Sequence, residues 1–269
     1  MHKISIPQSV TDRVVARRGR EHIFEDLDPA RTALVVVDMQ NGFMLPEVAH
    51  APCAAAIEIV PNINRLAAAV RATGGTVVWI QTAFTEETLS SWSTLYGMVG
   101  PAGTAKRKRS LSLGGKGYDL WPELKVESAD MLVEKLRYSA FIQGSSDLDR
   151  QLRSRGLDTL LITGTVTNVC CESTARDAMM LNYKVIMVTD GNAAANDDDQ
   201  RLARQFLSDL RRHHVDRFRD RLPVAKRPQG PRRGGIEDRE TSRAEGLDAN
   251  GSTSVRRSDI RCRTPARLP

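Results

Sequence analysis

Five short runs of β-branched and aliphatic residues recur along the first 190 positions: "ALVVVD" (33–38), "TVVWIQ" (76–81), "MLVEK" (131–135), "DTLLITG" (158–164) and "KVIMVTD" (184–190). Each suits a buried strand, and each is too short for a buried helix. The segments between them carry a different period. In "AAAIEIVPNINRLAAAVRATGG", Ile63, Leu66, Ala67 and Val70 fall on one helical face, Pro61 starts or interrupts the helix, and Gly74-Gly75 ends it. "DLDRQLRSRG" (147–156), "NVCCESTARDAMMLNY" (168–183) and "NDDDQRLARQFLSDLRRHH" (196–214) also read as helices, the last with acids in its first turn and bases in its last. Strands alternating with helices imply right-handed crossovers. The expected fold is α/β, a three-layer αβα sandwich around a mostly parallel sheet.

The region from Thr82 to Ala129 is polar and weakly periodic. A connection of that length is functional or carries small helices of its own. Residues 1–30 read as an N-terminal extension, 31–212 as the catalytic-type domain, and 213–269 as a basic tail. The charge supports that last division. From Arg201 onward there are 17 Arg and one Lys against nine acids, which leaves 21 bases and 24 acids before it, so the net +6 belongs to the tail. The tail is poor in apolar residues and rich in Arg, Gly, Pro and Ser, which predicts either disorder or a frame-shifted C-terminus. Its arginines alternate with acids and lack aromatic partners, so nucleic acid is not an expected partner.

No apolar run approaches the roughly 18 residues of a membrane span, and "MHKISIPQSV" has no apolar h-region. The four cysteines, Cys53, Cys170, Cys171 and Cys262, show no C-x-x-C spacing. Free thiols in a reducing cytoplasm are the simplest expectation. No HxH or D-x-H arrangement follows Asp38 or Trp79, so no metal site is expected.

In a parallel sheet, chemistry collects at the carboxyl ends of the strands. Asp38, Lys135 and the turn holding Cys170 all sit there. Asp38 taken alone suits an N-cap as well as a base, and Lys135 taken alone suits a surface cation. Held together, a lysine keeps a carboxylate charged and stabilises negative charge developing nearby. If Thr167 or Asn168 caps the following helix, Cys170 falls in its first turn, where the helix dipole favours a thiolate. Cys171 aligns with Ala175 and Ala178 and reads as a core thiol. His50 is the one histidine between the N-terminal segment and the tail, which favours a carboxylate over a histidine as the base. "KRKR" (106–109) is a solvated face or lid, or a preference for anionic substrates.

Together, "ALVVVDMQNGF", "KLRYSAF" and "TGTVTNVCCESTARDAMMLNYKVIMVTD" resemble three motifs of the isochorismatase-like cysteine hydrolases, in the family's order, from about Ala33 to Ala195. The resemblance implies Asp38 as general base, Lys135 as orienting cation and Cys170 as nucleophile. It also implies a cis peptide between Thr165 and Val166, and an oxyanion hole from the Val166 and Cys170 N–H groups. Gln40, Asn41, Phe43, Gln81, Tyr138 and Asn168 are candidate pocket residues by position. Lacking the histidines of nicotinamidases, and having the cysteine, the chain is similar to ureidoacrylate and N-carbamoyl amidohydrolases. The implied activity is cofactor-independent hydrolysis of a C–N bond in a small amide, ureido or N-carbamoyl compound through a thioester, by a homo-oligomer acting on a small molecule. The alternatives are a vinyl-ether hydrolase of isochorismatase type and an inactive binding protein. The family's last strand and helix are not recognisable after about Arg212.

Overall fold

The computed structural model describes residues 7–20, 24, 26–209 and 213–216. The strands are β1 (Thr32–Val37), β2 (Thr76–Thr82), β3 (Met131–Lys135), β4 (Thr159–Thr165), β5 (Lys184–Ala193) and β6 (His213–Asp216). They form one sheet in the order β3-β2-β1-β4-β5-β6, and every pairing is parallel. The chain therefore leaves β1 in one direction through β2 and β3, then returns to β1's other side with β4. Between β1 and β4 lies the switch point of the sheet, where the two flanking crossovers diverge and leave a crevice at the strand ends.

Alternation along the strands divides the core into two layers. Leu34, Val36, Val77, Trp79, Leu161 and Ile186 face α3 (Ala55–Ala72). Ala33, Val35, Val37, Val78, Ile80 and Ile162 face α6 (Leu148–Ser154) and α7 (Glu172–Met180). This is the expected three-layer sandwich. Helix α3 buries Ile59, Val60, Ile63, Leu66 and Val70, each large aliphatic side chain contributing about 1.5–3 kcal/mol. Pro61 neither starts nor breaks it. The hydrogen bond that a proline cannot donate would go to the carbonyl of Ile57, a residue on the exposed side of the helix, where water can substitute.

The polar stretch after Thr82 carries helices of its own, one of its two expected readings, while the N-terminal extension and the region after Asn196 depart from the sequence expectation. The polar stretch after Thr82 contains α4 (Glu86–Ser91) and α5 (Ser93–Leu111), the latter bent at Gly100 (φ 67°) ahead of Pro101, which is why no single period runs through it. The N-terminal extension contains α1 (Gln8–Arg18), whose Val10 and Val14 are buried, and α1 packs on α8. Helix α8 spans Asp197–Asp209 rather than running to 214, and has no basic last turn. His213 and His214 instead begin β6, a sixth strand beyond Arg212 whose sequence, His-His-Val-Asp, carries too little apolar content to announce itself. The rest of the expected tail, 217–269, lies outside the described residues. Among the described residues no helix is long and apolar enough to cross a membrane.

Candidate active site

The crevice at the switch point is built by a close approach of β1 and β4. Val37 pairs with Gly164, whose φ is 116°. A Cβ placed on Gly164 would lie 2.0 Å from the Val37 carbonyl oxygen, so no side chain fits. Next in line, Asp38 adopts φ 53°. This left-handed step breaks the strand alternation. Its N–H is held by the Ile80 carbonyl at 3.0 Å.

Thr82 and Lys135 continue the even face of β2 and the odd face of β3, on the α6–α7 side of the sheet. The two strands pair Thr82 with Lys135 directly. Asp38, Thr82 and Lys135 are all buried, with Asp38 and Lys135 fully excluded from solvent. Lys135 Nζ lies 2.8 Å from Asp38 Oδ2, donates to Thr82 Oγ1, and donates to the Arg137 carbonyl at 3.1 Å. Thr82 in turn donates to Asp38 Oδ1 at 2.9 Å. The ammonium thus has two hydrogen-bond acceptors and an ion-pair partner, and the Thr82 hydroxyl both accepts and donates. Burial alone would lower the Lys135 ammonium, but the Asp38 carboxylate more than offsets it and raises the group above its ordinary value. Asp38 Oδ2 has no partner besides the lysine, so a lone pair stays open.

Cys170 lies near enough to Asp38 for the carboxylate to act on its thiol. Beyond β4 the Thr165–Val166 peptide is cis. Residues Thr167–Cys171 then form a widened turn, closed by Cys171 N–H on the Val166 carbonyl, before α7 begins at Glu172. Gln200 of α8 braces this turn, accepting from Thr167 Oγ1 at 2.6 Å and donating to the Asn192 carbonyl at 3.2 Å. Cys170 is buried. Burial pushes its thiol up to about 12, with the Lys135 charge opposing and the Asp38 charge and hydrogen bond adding to the rise. Cys170 lies in a five-residue turn that runs straight into α7, and its burial works against the thiolate that a helix N-terminus favours. Cys171 is a core thiol, packed with Ala175 and Ala178 as its spacing predicts.

The model of the isochorismatase domain matches residues 32–213. The chain belongs to the isochorismatase family. A ureidoacrylate amidohydrolase RutB from Pseudomonas savastanoi pv. phaseolicola (strain 1448A / Race 6) is 35% identical over 200 residues, 67% of this chain and 78% of that protein. A cysteine hydrolase from Pseudomonas syringae pv. phaseolicola 1448A superposes with TM-score 0.63 at 31% identity, over 73% of this chain and 92% of that one. An N-carbamoylsarcosine amidase from Thermoplasma acidophilum superposes with TM-score 0.55 at 26% identity, over 70% and 96%.

Within this isochorismatase-family site, not every residue expected in the pocket reaches it. Gln40 accepts from Thr82 N–H and donates to the Thr82 and Tyr118 carbonyls, so its amide is spent on bracing. Asn41 donates to the Lys116 carbonyl, and Gln81, on the α3 side of β2, to that of Tyr118. Phe43 lies in the α3-side core, edge-on to His50. Gln40, Asn41 and Gln81 hold the 116–118 segment down, and Phe43 packs in the core. Gln81 is turned to the α3 side by alternation along β2, and the other three follow the left-handed step at Asp38. Asn168 keeps a buried Oδ1 with no partner, and Tyr138 stands edge-on to Trp92 at 4.9 Å. Sequence reasoning missed Thr82, whose signal was its even spacing from Val78 and Ile80, and Trp92, which lies in the stretch without a legible period.

His50 is not a base for Cys170. Its Nδ1 lies 3.1 Å from the Gly42 carbonyl, which can only accept, so Nδ1 carries the proton and Nε2 accepts from Arg107 Nη1 at 3.3 Å. Burial, then the Arg107 charge, hold the imidazole down to about 3, so it is neutral.

Proposed function

We propose that the chain is a cysteine-dependent amidohydrolase that cleaves the C–N bond of a small amide, ureido or N-carbamoyl compound without a bound cofactor. What supports this reading is the pairing of a buried Cys170 thiol with the nearby Asp38 carboxylate, which keeps an oxygen without a hydrogen-bond donor and whose charge Lys135 maintains. The names of two relatives, a ureidoacrylate amidohydrolase and an N-carbamoylsarcosine amidase, support the C–N bond as the target.

In this reading the Cys170 proton moves to Asp38 as sulfur attacks the substrate carbonyl, so no free thiolate accumulates. The Val166 and Cys170 N–H groups hold the developing oxyanion. Asp38 returns the proton to the leaving nitrogen, and the C–N bond breaks to leave a thioester. Asp38 then takes a proton from water, whose oxygen adds to the thioester carbonyl. The C–S bond breaks and the sulfur recovers its proton. Lys135 stays charged throughout and keeps Asp38 oriented.

A panel of carbamoyl, ureido and simple amide substrates, assayed for ammonia or amine release, tests the proposal. Turnover by the wild type should fall on the order of a thousandfold or more in Cys170→Ser. Activity largely retained in Cys170→Ala on an isochorismate-like vinyl ether would point instead to the vinyl-ether branch.

A further inference from the structure

The turn Thr167–Cys171 closes on itself, with the Val169 and Cys171 N–H groups on the Val166 carbonyl at 3.1 and 3.3 Å. Closure of this kind fixes the shape of a turn but not its place over the sheet. A buried amide from α8 ties it to its surroundings. Gln200 accepts from Thr167 Oγ1 at 2.6 Å and donates through Nε2 to the Asn192 carbonyl at 3.2 Å. The orientation of this amide is forced. A carbonyl can only accept, so Nε2 faces Asn192, Oε1 faces Thr167, and the Thr167 hydroxyl donates.

Both ends of the tether are anchored. Asn192 pairs with Gly164 across the sheet, and its own amide donates to the Ile162 and Val188 carbonyls at 2.9 and 2.7 Å. Gln200 lies in the first turn of α8, where the Asn196 side chain accepts from the Asp199 N–H at 2.9 Å and caps the helix. Thr167, Gln200 and Asn192 are each at most 3% exposed, so water does not compete for these bonds. Thr167 directly follows Val166 and stands three residues before Cys170. A shift of Thr167 therefore moves both N–H groups assigned to the oxyanion, while Asp38 and Lys135 stay held by β1 and β3.

We propose that Gln200 is a positioning residue for the reaction, holding the nucleophile turn against the sheet so that the Val166 and Cys170 N–H groups meet the oxyanion. This rests on the thioester reading above and gives a role in it to a helix that contributes no reacting group. Oxyanion donors act only at hydrogen-bond distance, and a misplacement of about 1 Å costs about a hundredfold in rate.

Two reagents that modify Cys170 separate this role from packing. With 4-nitrophenyl acetate the sulfur adds to the ester carbonyl through an oxyanion and its proton passes to Asp38. The C–O bond then breaks, 4-nitrophenolate leaves, and an acetyl thioester remains. With iodoacetamide the sulfur displaces iodide and no oxyanion forms. In Gln200→Leu, single-turnover acylation, mapped to Cys170 by peptide mass spectrometry, should slow about 10- to 100-fold, while alkylation stays within about threefold of the wild type. Thr167→Val cuts the same tether from its other end, decides the question if Gln200→Leu does not fold, and should give the same pattern. The double variant should be no slower than either single one, and Thr167→Ser, which keeps the hydroxyl, should restore most of the rate. Unchanged acylation in Gln200→Leu and Thr167→Val, or equal slowing of acylation and alkylation, overturns the proposal and leaves the thioester reading standing. A wild-type enzyme that is alkylated at Cys170 but never acylated there would remove the thioester reading, and the proposal with it.

Discussion

Cys170 starts its reaction protonated, because a buried sulfur cannot hold charge cheaply, even beside an ammonium. The working unit is therefore the Asp38–Thr82–Lys135 triangle that receives the proton, and its integrity depends on mutual satisfaction. Lys135→Met leaves Asp38 buried without a counter-charge, which costs about 3–5 kcal/mol of stability. The double variant Asp38→Asn/Lys135→Met removes both charges and should recover much of that loss while remaining inactive. Urea denaturation of the three proteins checks this. A single variant as stable as the wild type would mean the pair is not closed to solvent. Thr82 was not anticipated, since a threonine ending a strand carries no chemical signal until its partners are placed. Asp38, Lys135 and Cys170 were legible because each ends or follows an apolar run of unmistakable period.

At the scale of elements, the site depends on β1 and β4 approaching closely at Val37 and Gly164. Gly164→Ala forces a Cβ against the Val37 carbonyl, 2.0 Å away, and a non-glycine residue into φ 116°. We expect a loss of at least about 3 kcal/mol in chemical denaturation, with activity falling further than stability because Asp38 is the next residue. A stability change under about 1 kcal/mol would contradict the close approach. The five apolar strands and the helices between them were readable from period alone. Strand β6 was not, because two histidines, a valine and an aspartate form too short and too polar a run to show a pattern. Helix α5 was not, because Gly100 and Pro101 split its period, and with it went Trp92 at its start. Gln40, Asn41 and Phe43 were misplaced because the sequence gives distance from Asp38 along the chain, but not the left-handed turn at Asp38 that separates them from it, and Gln81 because alternation along β2 turns it to the α3 side.

For the molecule as a whole, acid stability follows from His50. In the unfolded chain its pKa is near 6.5, whereas burial holds it to about 3 in the fold. Between those values the unfolded state binds the extra proton, so stability is full above pH 6.5 and falls as pH drops toward 3. The window is worth at most roughly 4–5 kcal/mol. Asp130 and Asp158 add a second loss at lower pH. Burial alone would raise both, but Arg71 and Arg31 hold them below the ordinary carboxylate range. Urea midpoints measured between pH 4 and 7 separate the two effects. The wild-type slope should flatten in His50→Asn, and an unchanged slope would assign the acid sensitivity elsewhere.

The claim on which the rest depends is that the sulfur of residue 170 becomes covalently acylated after giving its proton to Asp38. Acid-quenched wild-type enzyme, taken during turnover of a ureido acid and mapped by peptide mass spectrometry, tests it most directly. The account predicts a substrate-derived acyl increment on the peptide containing Cys170, absent in Cys170→Ser and strongly reduced in Asp38→Asn. Full turnover with no such increment at any quench time, together with undiminished activity in Cys170→Ser, would contradict it.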